Sequence, residues 1–202
     1  MAKPMRHGAD GREAGVASRA DAHDDARLLE RIAEGDTRAF EALYRAYHPR
    51  LSRFIGAMLR RPHLVEEVLN DALLVVWRKP HGYNGKSKVS TWILAIAYRR
   101  ALKALSKVDD PVEDTAADSR PSPEDGPEQQ LTRREIRTAL RAAMGELSPQ
   151  HRAVVDLTYF HEAGYREIAE IMDCPVDTVK TRMFHARRHL KSKLAGQLAD
   201  WL

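Results

Sequence analysis

The chain has 202 residues, 43% of them hydrophobic and 31% charged, with a net charge of +4 and a single cysteine, Cys174. Such a length suits one ordinary domain or two small ones. One cysteine excludes an internal disulfide and fits a reducing cytoplasm, and no apolar run approaches the roughly 18 residues of a membrane span.

Charge is laid out in blocks: −1 over residues 1–25, +9 over 26–107, −7 over 108–130 and +3 over 131–202. A basic block, an acidic spacer and a second basic block outline two nucleic-acid-facing modules on an acidic tether. Residues 1–25 mix charges with Gly and Ala and contain no signal-peptide core, so they read as a disordered tail.

From residue 26 onward helical periodicity dominates. Asp36 is a good N-cap for a helix whose apolar residues Phe40, Leu43, Tyr44 and Tyr47 fall at i, i+3, i+4, i+7. After Pro49 the pattern repeats in Leu51, Phe54, Ile55, Met58 and Leu59, which predicts a second helix. Arg61-Pro62 breaks the chain before a third, marked by Val65, Val68, Leu69, Ala72, Leu73 and Val76. Lys79-Pro80 and Gly82 end it, Gly85 keeps the next stretch in loop, and Ser90 or Thr91 caps a fourth helix from Trp92 to about Leu105. Sustained period-two alternation is absent, so no strand is expected.

Residues 109–128 hold four prolines and eight carboxylates; a segment so charged has too little apolar surface for a core and reads as a mobile linker within 108–130. Beyond it Ile136, Ala139, Leu140 and Ala143 mark a fifth helix. Ser148-Pro149, a cap followed by proline at the first helical position, opens a sixth that Gly164 is expected to end. Two more helices, Tyr165 to Met172 and Val176 to about Leu194, flank the turn Asp173-Cys174-Pro175.

Two helices joined by a tight turn, the second longer and basic, form a helix-turn-helix. Ile168, Ala169 and Met172 face inward on the first, and Val176, Val179, Met183, Ala186 and Leu190 on the second. The opposite face carries Asp177, Thr181, Phe184, His185 and Arg188, with Thr178, Lys180 and Arg182 beside them. Phe184 suits a major groove, where thymine offers a methyl group. Arg187, Arg188, Lys191 and Lys193 neutralise phosphate charge. The alternative, a solvated hairpin with Phe184 in its core, runs against the agreement of turn, stripe and basic face.

The stretch from Arg78 to Lys107 holds eight Lys/Arg and no Asp or Glu, with Tyr83, Trp92 and Tyr98 interleaved. Arg99, Lys103 and Lys107 form a cationic stripe with Arg100 beside it. Cations with stacking groups suit unpaired bases better than closed duplex. Trp92 reads as core, whereas Tyr83 stays open between loop packing and base contact.

LNDALLVVWRK, then STWILAIAYRRALKAL, then LSPQHRAVVDLTYFHEAGYREIAEIMDCPVDTVKTRMFHARRHL, resembles an extracytoplasmic-function (ECF, group IV) sigma factor of the sigma-70 family. The resemblance implies an all-α fold of two small domains, region 2 over 26–107 and region 4 over 131–202, with a flexible acidic linker between. It implies that core RNA polymerase is the partner, through its β′ coiled coil and β flap, and that promoter DNA is the target. Glu67, Asn70 and Asp71 match the positions that meet the β′ coiled coil. Tyr83, Asn84, Lys86 and Lys88 match the pocket for a base flipped from the minus-10 element, with Arg99, Arg100 and Lys103 as further contacts. Lys180, Thr181, Phe184 and His185 match the positions that read the minus-35 element, and Asp177 stands where the family often has a small residue. An anti-sigma factor is implied as an inhibitory partner, and membrane tethering only through it.

Two other classes compete. A stand-alone helix-turn-helix regulator needs a sensor or dimer face where the basic strand-binding surface lies. A sigma mimic that only sequesters a partner has no use for DNA-facing cations, which this chain keeps. The chain carries no Walker loop, no G-x-S-x-G and no Cys/His zinc spacing, so it reads as a non-enzyme without catalytic residues, metal, cofactor or small-molecule substrate. His185 and His189 at i, i+4, with Arg187 and Arg188 between them, read as DNA or solvent contacts rather than metal ligands.

Overall fold

The computed structural model describes residues 24–107 and 127–195, with side chains from 135 in the second stretch. Every regular element among them is helical: α1 (residues 24–33), α2 (Thr37–Leu59), α3 (Pro62–Arg78), the 3-10 turn Pro80–Gly82, α4 (Val89–Leu105), α5 (Pro127–Gly145), α6 (Pro149–Tyr159), α7 (Tyr165–Met172) and α8 (Val176–Leu194). No helix among the described residues is long and apolar enough to cross a membrane.

Of the caps expected from the sequence, Asp36 and Ser148 hold, whereas α4 starts at Val89 behind Lys88 with no side-chain cap, which places Ser90 and Thr91 inside its first turn. Asp36 Oδ1 accepts from the amides of Arg38 and Ala39 at 2.9 and 3.1 Å, while its Oδ2 takes two hydrogen bonds from Arg31. That arginine, helped by the two amides, holds the Asp36 carboxyl below its ordinary value. Ser148 Oγ accepts from the His151 amide, and Pro62 and Pro149 begin their helices because a first-turn N–H has no intrahelical partner to lose.

Several expected boundaries move. Pro49 does not divide two helices but lies inside α2. The buried series Leu43, Tyr47, Leu51, Phe54, Ile55 and Met58 runs unbroken past it, and packing of that stripe outweighs one missing amide hydrogen bond. Asp24 and Asp25, placed in the N-terminal tail by composition, belong to α1, where Asp25 accepts a hydrogen bond from the Tyr47 hydroxyl. Burial, then the Asp25 carboxylate, push that hydroxyl far above its ordinary value. Residues 1–23 of the expected tail and 108–126 of the expected linker lie outside the described residues. Residues 127–130, assigned to the linker, are the first turn of α5. Gly164 does not end α6, which stops at Tyr159, but is the N-cap of α7.

Helices α2, α3 and α4 pack on one another and α1 adds Leu29 and Ile32 to their core; α5, α6 and α7 pack around α8. The two bundles also dock, α2 against α6 and α4 against α7. Domains hanging unoriented on a tether were the expectation, and the docked arrangement corrects it. Arg152 supplies a physical reason. Only 7% exposed, it donates from Nε to the Ala57 carbonyl and from Nη2 to the Met58 carbonyl, both 2.8 Å away in α2. Its Nη1 serves the Leu147 carbonyl after α5. One guanidinium thus satisfies the last carbonyls of a helix in one bundle and a turn in the other. Burial, then the charge of Arg60, lower its pKa to about 10, so it stays charged at neutral pH. Arg60 completes the seam, donating to the Gly145 carbonyl at 2.7 Å. A Cβ at residue 145 would lie 2.6 Å from Arg60 Nη1, so any side chain there would displace that guanidinium.

Candidate nucleic-acid interface

The outward face of α8 is built by its inward one. Val179, Met183 and Ala186 are buried, with Val176 and Leu190 packed at the edge of the core, which turns Asp177, Lys180, Thr181, Phe184, His185 and Arg188 to solvent. Phe184 is 62% exposed, so it is not core; its ring stands edge-on to His185 at 5.6 Å. A large aromatic so exposed on a helix face that also carries Lys180 and Arg188 is a surface feature suited to an apolar partner. Lys180 Nζ lies 2.9 Å from Asp177 Oδ1, so the carboxylate in the first turn partners the lysine next to it. The Thr181 hydroxyl donates back to the Asp177 carbonyl, and Thr178 is half-buried.

Arg182 departs from expectation. It does not share the outward face but turns inward, its Nη1 3.6 Å from Cys174 Sγ. Its charge also reaches the Tyr98 hydroxyl of α4, which burial raises above its ordinary value and Arg182 pulls back down. What position 182 meets is decided by the neighbouring bundle, which sequence periodicity does not reveal. Cys174 is half-buried in that contact.

The basic loop between α3 and α4 is folded rather than open. Tyr83 packs on Trp92, ring centroids 5.8 Å apart, and donates its hydroxyl to the Ser87 carbonyl at 2.6 Å. The open choice for Tyr83 is therefore loop packing in this arrangement. Trp92 is half-buried and packs against the core, as expected, as well as on Tyr83. Asn84 Oδ1 accepts from the Lys86 amide, and Gly85 has φ +72°, a turn that glycine adopts without strain. The loop leaves Asn84 and Lys86 exposed, and Arg99 and Lys103 are exposed farther along α4. Lys88 points to the other bundle, its Nζ 3.2 Å from Glu167 Oε2. Arg100 lies 3.9 Å from Asp71.

On α3, burial of Val68, Leu69 and Ala72 turns Glu67, Asn70 and Asp71 outward together. The Tyr44 hydroxyl donates to Asn70 Oδ1 at 3.2 Å and so orients the amide. Sequence reading missed Leu74, 41% exposed. It lines a groove of about 340 Å³ with Asp71, Val75, Arg78, Lys79 and Arg100. Its spacing from Asn70 and Asp71, i+4 and i+3, was the available signal.

The family model described as Sigma-70 region 2 matches residues 43–109, and the one described as Sigma-70, region 4 matches residues 137–190. ECF RNA polymerase sigma factor SigK of Mycobacterium sp. is 31% identical over 183 residues, covering 83% of this chain and 89% of the relative. The chain is an ECF sigma factor of the sigma-70 family. ECF RNA polymerase sigma-E factor of Haemophilus influenzae is 27% identical over 180 residues, covering 84% of this chain and 95% of its own. The fold agrees with solved sigma factors. CnrH in complex with the cytosolic domain of CnrY matches with a TM-score of 0.62 at 19% identity, over 86% of this chain and 98% of that one. The sigma factor RpoE in complex with the anti-sigma factor NepR from Bartonella quintana gives 0.60 at 21% identity, over 78% and 98%.

Region 2 of this sigma factor is thus the N-terminal bundle and region 4 the C-terminal one, and its function is promoter-specific transcription initiation with core RNA polymerase. A stand-alone regulator is not favoured, since both sigma modules are present in order. Two residues unremarked in the sequence, Arg152 and Glu167, turn out to join the regions. Nothing local distinguishes them from ordinary helix-surface charges.

Proposed function

We propose that region 4 reads the minus-35 element with Lys180, Thr181, Phe184, His185 and Arg188, while region 2 captures an unpaired base of the minus-10 strand at the loop bearing Asn84, Lys86 and Lys88. The observation that carries this is the outward face of α8, where Phe184, 62% exposed, stands with Lys180, His185 and Arg188. Arg99 and Lys103 track the backbone farther along α4; Tyr83 shapes the loop rather than reading a base. Glu67, Asn70 and Asp71, with Leu74, form the docking surface for the polymerase β′ coiled coil. The sigma factor is not an enzyme: strand opening is driven by binding energy, with bases held only once unstacked. It works in the cytoplasm at the nucleoid. An anti-sigma factor is its inhibitory partner, a reading supported by the partners named with CnrH and RpoE.

The test is run-off transcription with core polymerase over a promoter library. Lys180→Ala should change which promoters are used, and Asp71→Ala should weaken core binding at every promoter. If both variants match wild type, the residue assignments are wrong.

A further inference from the structure

Asp177 stands in the first turn of α8, and its side chain is 89% exposed. It is not spent as a helix cap. The N-cap residue is Pro175, whose carbonyl accepts from the Thr178 and Val179 amides at 2.9 and 3.3 Å. Asp177 Oδ1 instead accepts from Lys180 Nζ, 2.9 Å away on a side chain that is 59% exposed. An ion pair so open to water adds little to stability, so the fold gives no account of the carboxylate.

Asp177, Thr181, Phe184 and Arg188 fall at i, i+4, i+7 and i+11 and form one stripe along the helix. All four are exposed. A groove that receives Phe184 therefore receives Asp177 as well. In a helix-turn-helix the N-terminal residues of the second helix are the ones that meet base edges.

A carboxylate has few partners in a major groove. It loses water there, and the phosphates on either side repel it. Only two base groups can donate to it, the amino groups at cytosine N4 and adenine N6; guanine presents O6 and N7, and thymine O4. Adenine sets its N7 acceptor next to the amino group, where it repels the second carboxylate oxygen. Cytosine has no such atom on its edge. The guanine paired with cytosine offers O6 and N7 to a cation, and Lys180 is the cation beside Asp177. Carboxylate and ammonium side by side are thus the electrostatic complement of a C·G edge.

We propose that Asp177 selects cytosine at one position of the minus-35 element, with Lys180 on the guanine across the pair. The carboxylate acts chiefly by exclusion, since a base that cannot donate leaves it dehydrated and unpaired. Its loss raises initiation from the wrong promoters more than it lowers initiation from the right one. The proposal rests on the assignment of α8 to the minus-35 element.

The test is run-off transcription by holoenzyme from templates randomised across the minus-35 element, each barcoded in its transcribed region. Wild type should prefer cytosine about tenfold at one position, within the usual cost of a mismatched pair. Asp177→Ala should flatten that position alone, by raising output from the other three bases. Asp177→Asn should move the preference there to adenine, because an amide donates to N7 and accepts from N6. The replaced side chain is almost wholly exposed, so both variants should keep the fold, which circular dichroism checks. Absence of a cytosine preference in wild type overturns the proposal, as does one that survives either substitution. A uniform rise at every template also overturns it, since phosphate alone would then feel the charge. Phe184→Ala, run beside them, separates the underlying assignment: if it too leaves the whole pattern unchanged, α8 does not read the element.

Discussion

Arg152 of region 4 donates its Nη2 hydrogen to the main-chain carbonyl of Met58 in region 2, 2.8 Å away. A side chain from one domain thereby completes the end of a helix in the other. Local unfolding of either region must break that bond, so the two domains should not unfold independently in the free protein.

Replacing Arg152 with Met should leave the Ala57, Met58 and Leu147 carbonyls without their charged donor. The expected loss is about 3 kcal/mol, read as a lower urea midpoint. Arg152→Lys should rescue little of it, since an ammonium group lacks the fork that reaches several carbonyls at once.

Phe184→Ala should act on promoter use and leave stability alone. The ring is 62% exposed, so the thermal midpoint should stay within the effect of about 0.5 kcal/mol common to surface changes. Initiation at a strong promoter should fall about tenfold if the ring contacts a thymine methyl. An equal fall across unrelated promoters would count against base reading by this residue.

Tyr83→Phe removes the hydroxyl that donates to the Ser87 carbonyl and keeps the packing on Trp92. The loop should lose about 1 kcal/mol of order, seen as faster amide exchange at Ser87 and Lys88. Promoter melting by the holoenzyme should slow while minus-35 binding is retained.

Acidification should weaken region 4 through His151. Burial, then the neighbouring charges of His185, Arg182 and His189, lower its pKa from the ordinary 6.5. Just below 6.5 the unfolded chain therefore binds more proton at this site than the folded one, and stability falls as pH drops through that range. His151→Gln should flatten this part of the curve in urea titrations run at successive pH values; an unchanged slope would remove His151 as its source.

Much of this protein is written locally. Asp36, Ser148 and the Arg61-Pro62 pair mark helix starts because a cap acts on amides two or three residues away. The stripe Val179, Met183 and Ala186 sets which face of α8 is outward for the same reason, since one helix fixes the directions of its own side chains. The order of region 2 and region 4 motifs, and with it the family, needed nothing beyond the chain.

Other features belong to the fold alone. Pro49 passes through α2 because a buried stripe on either side of it holds the helix straight through. Arg182 leaves the DNA face, Tyr83 closes on Trp92, and Glu167 meets Lys88 from 79 residues away. Each depends on which surface lies opposite in space, and pairing between distant segments is set by packing and charge across the seam, which no local pattern encodes.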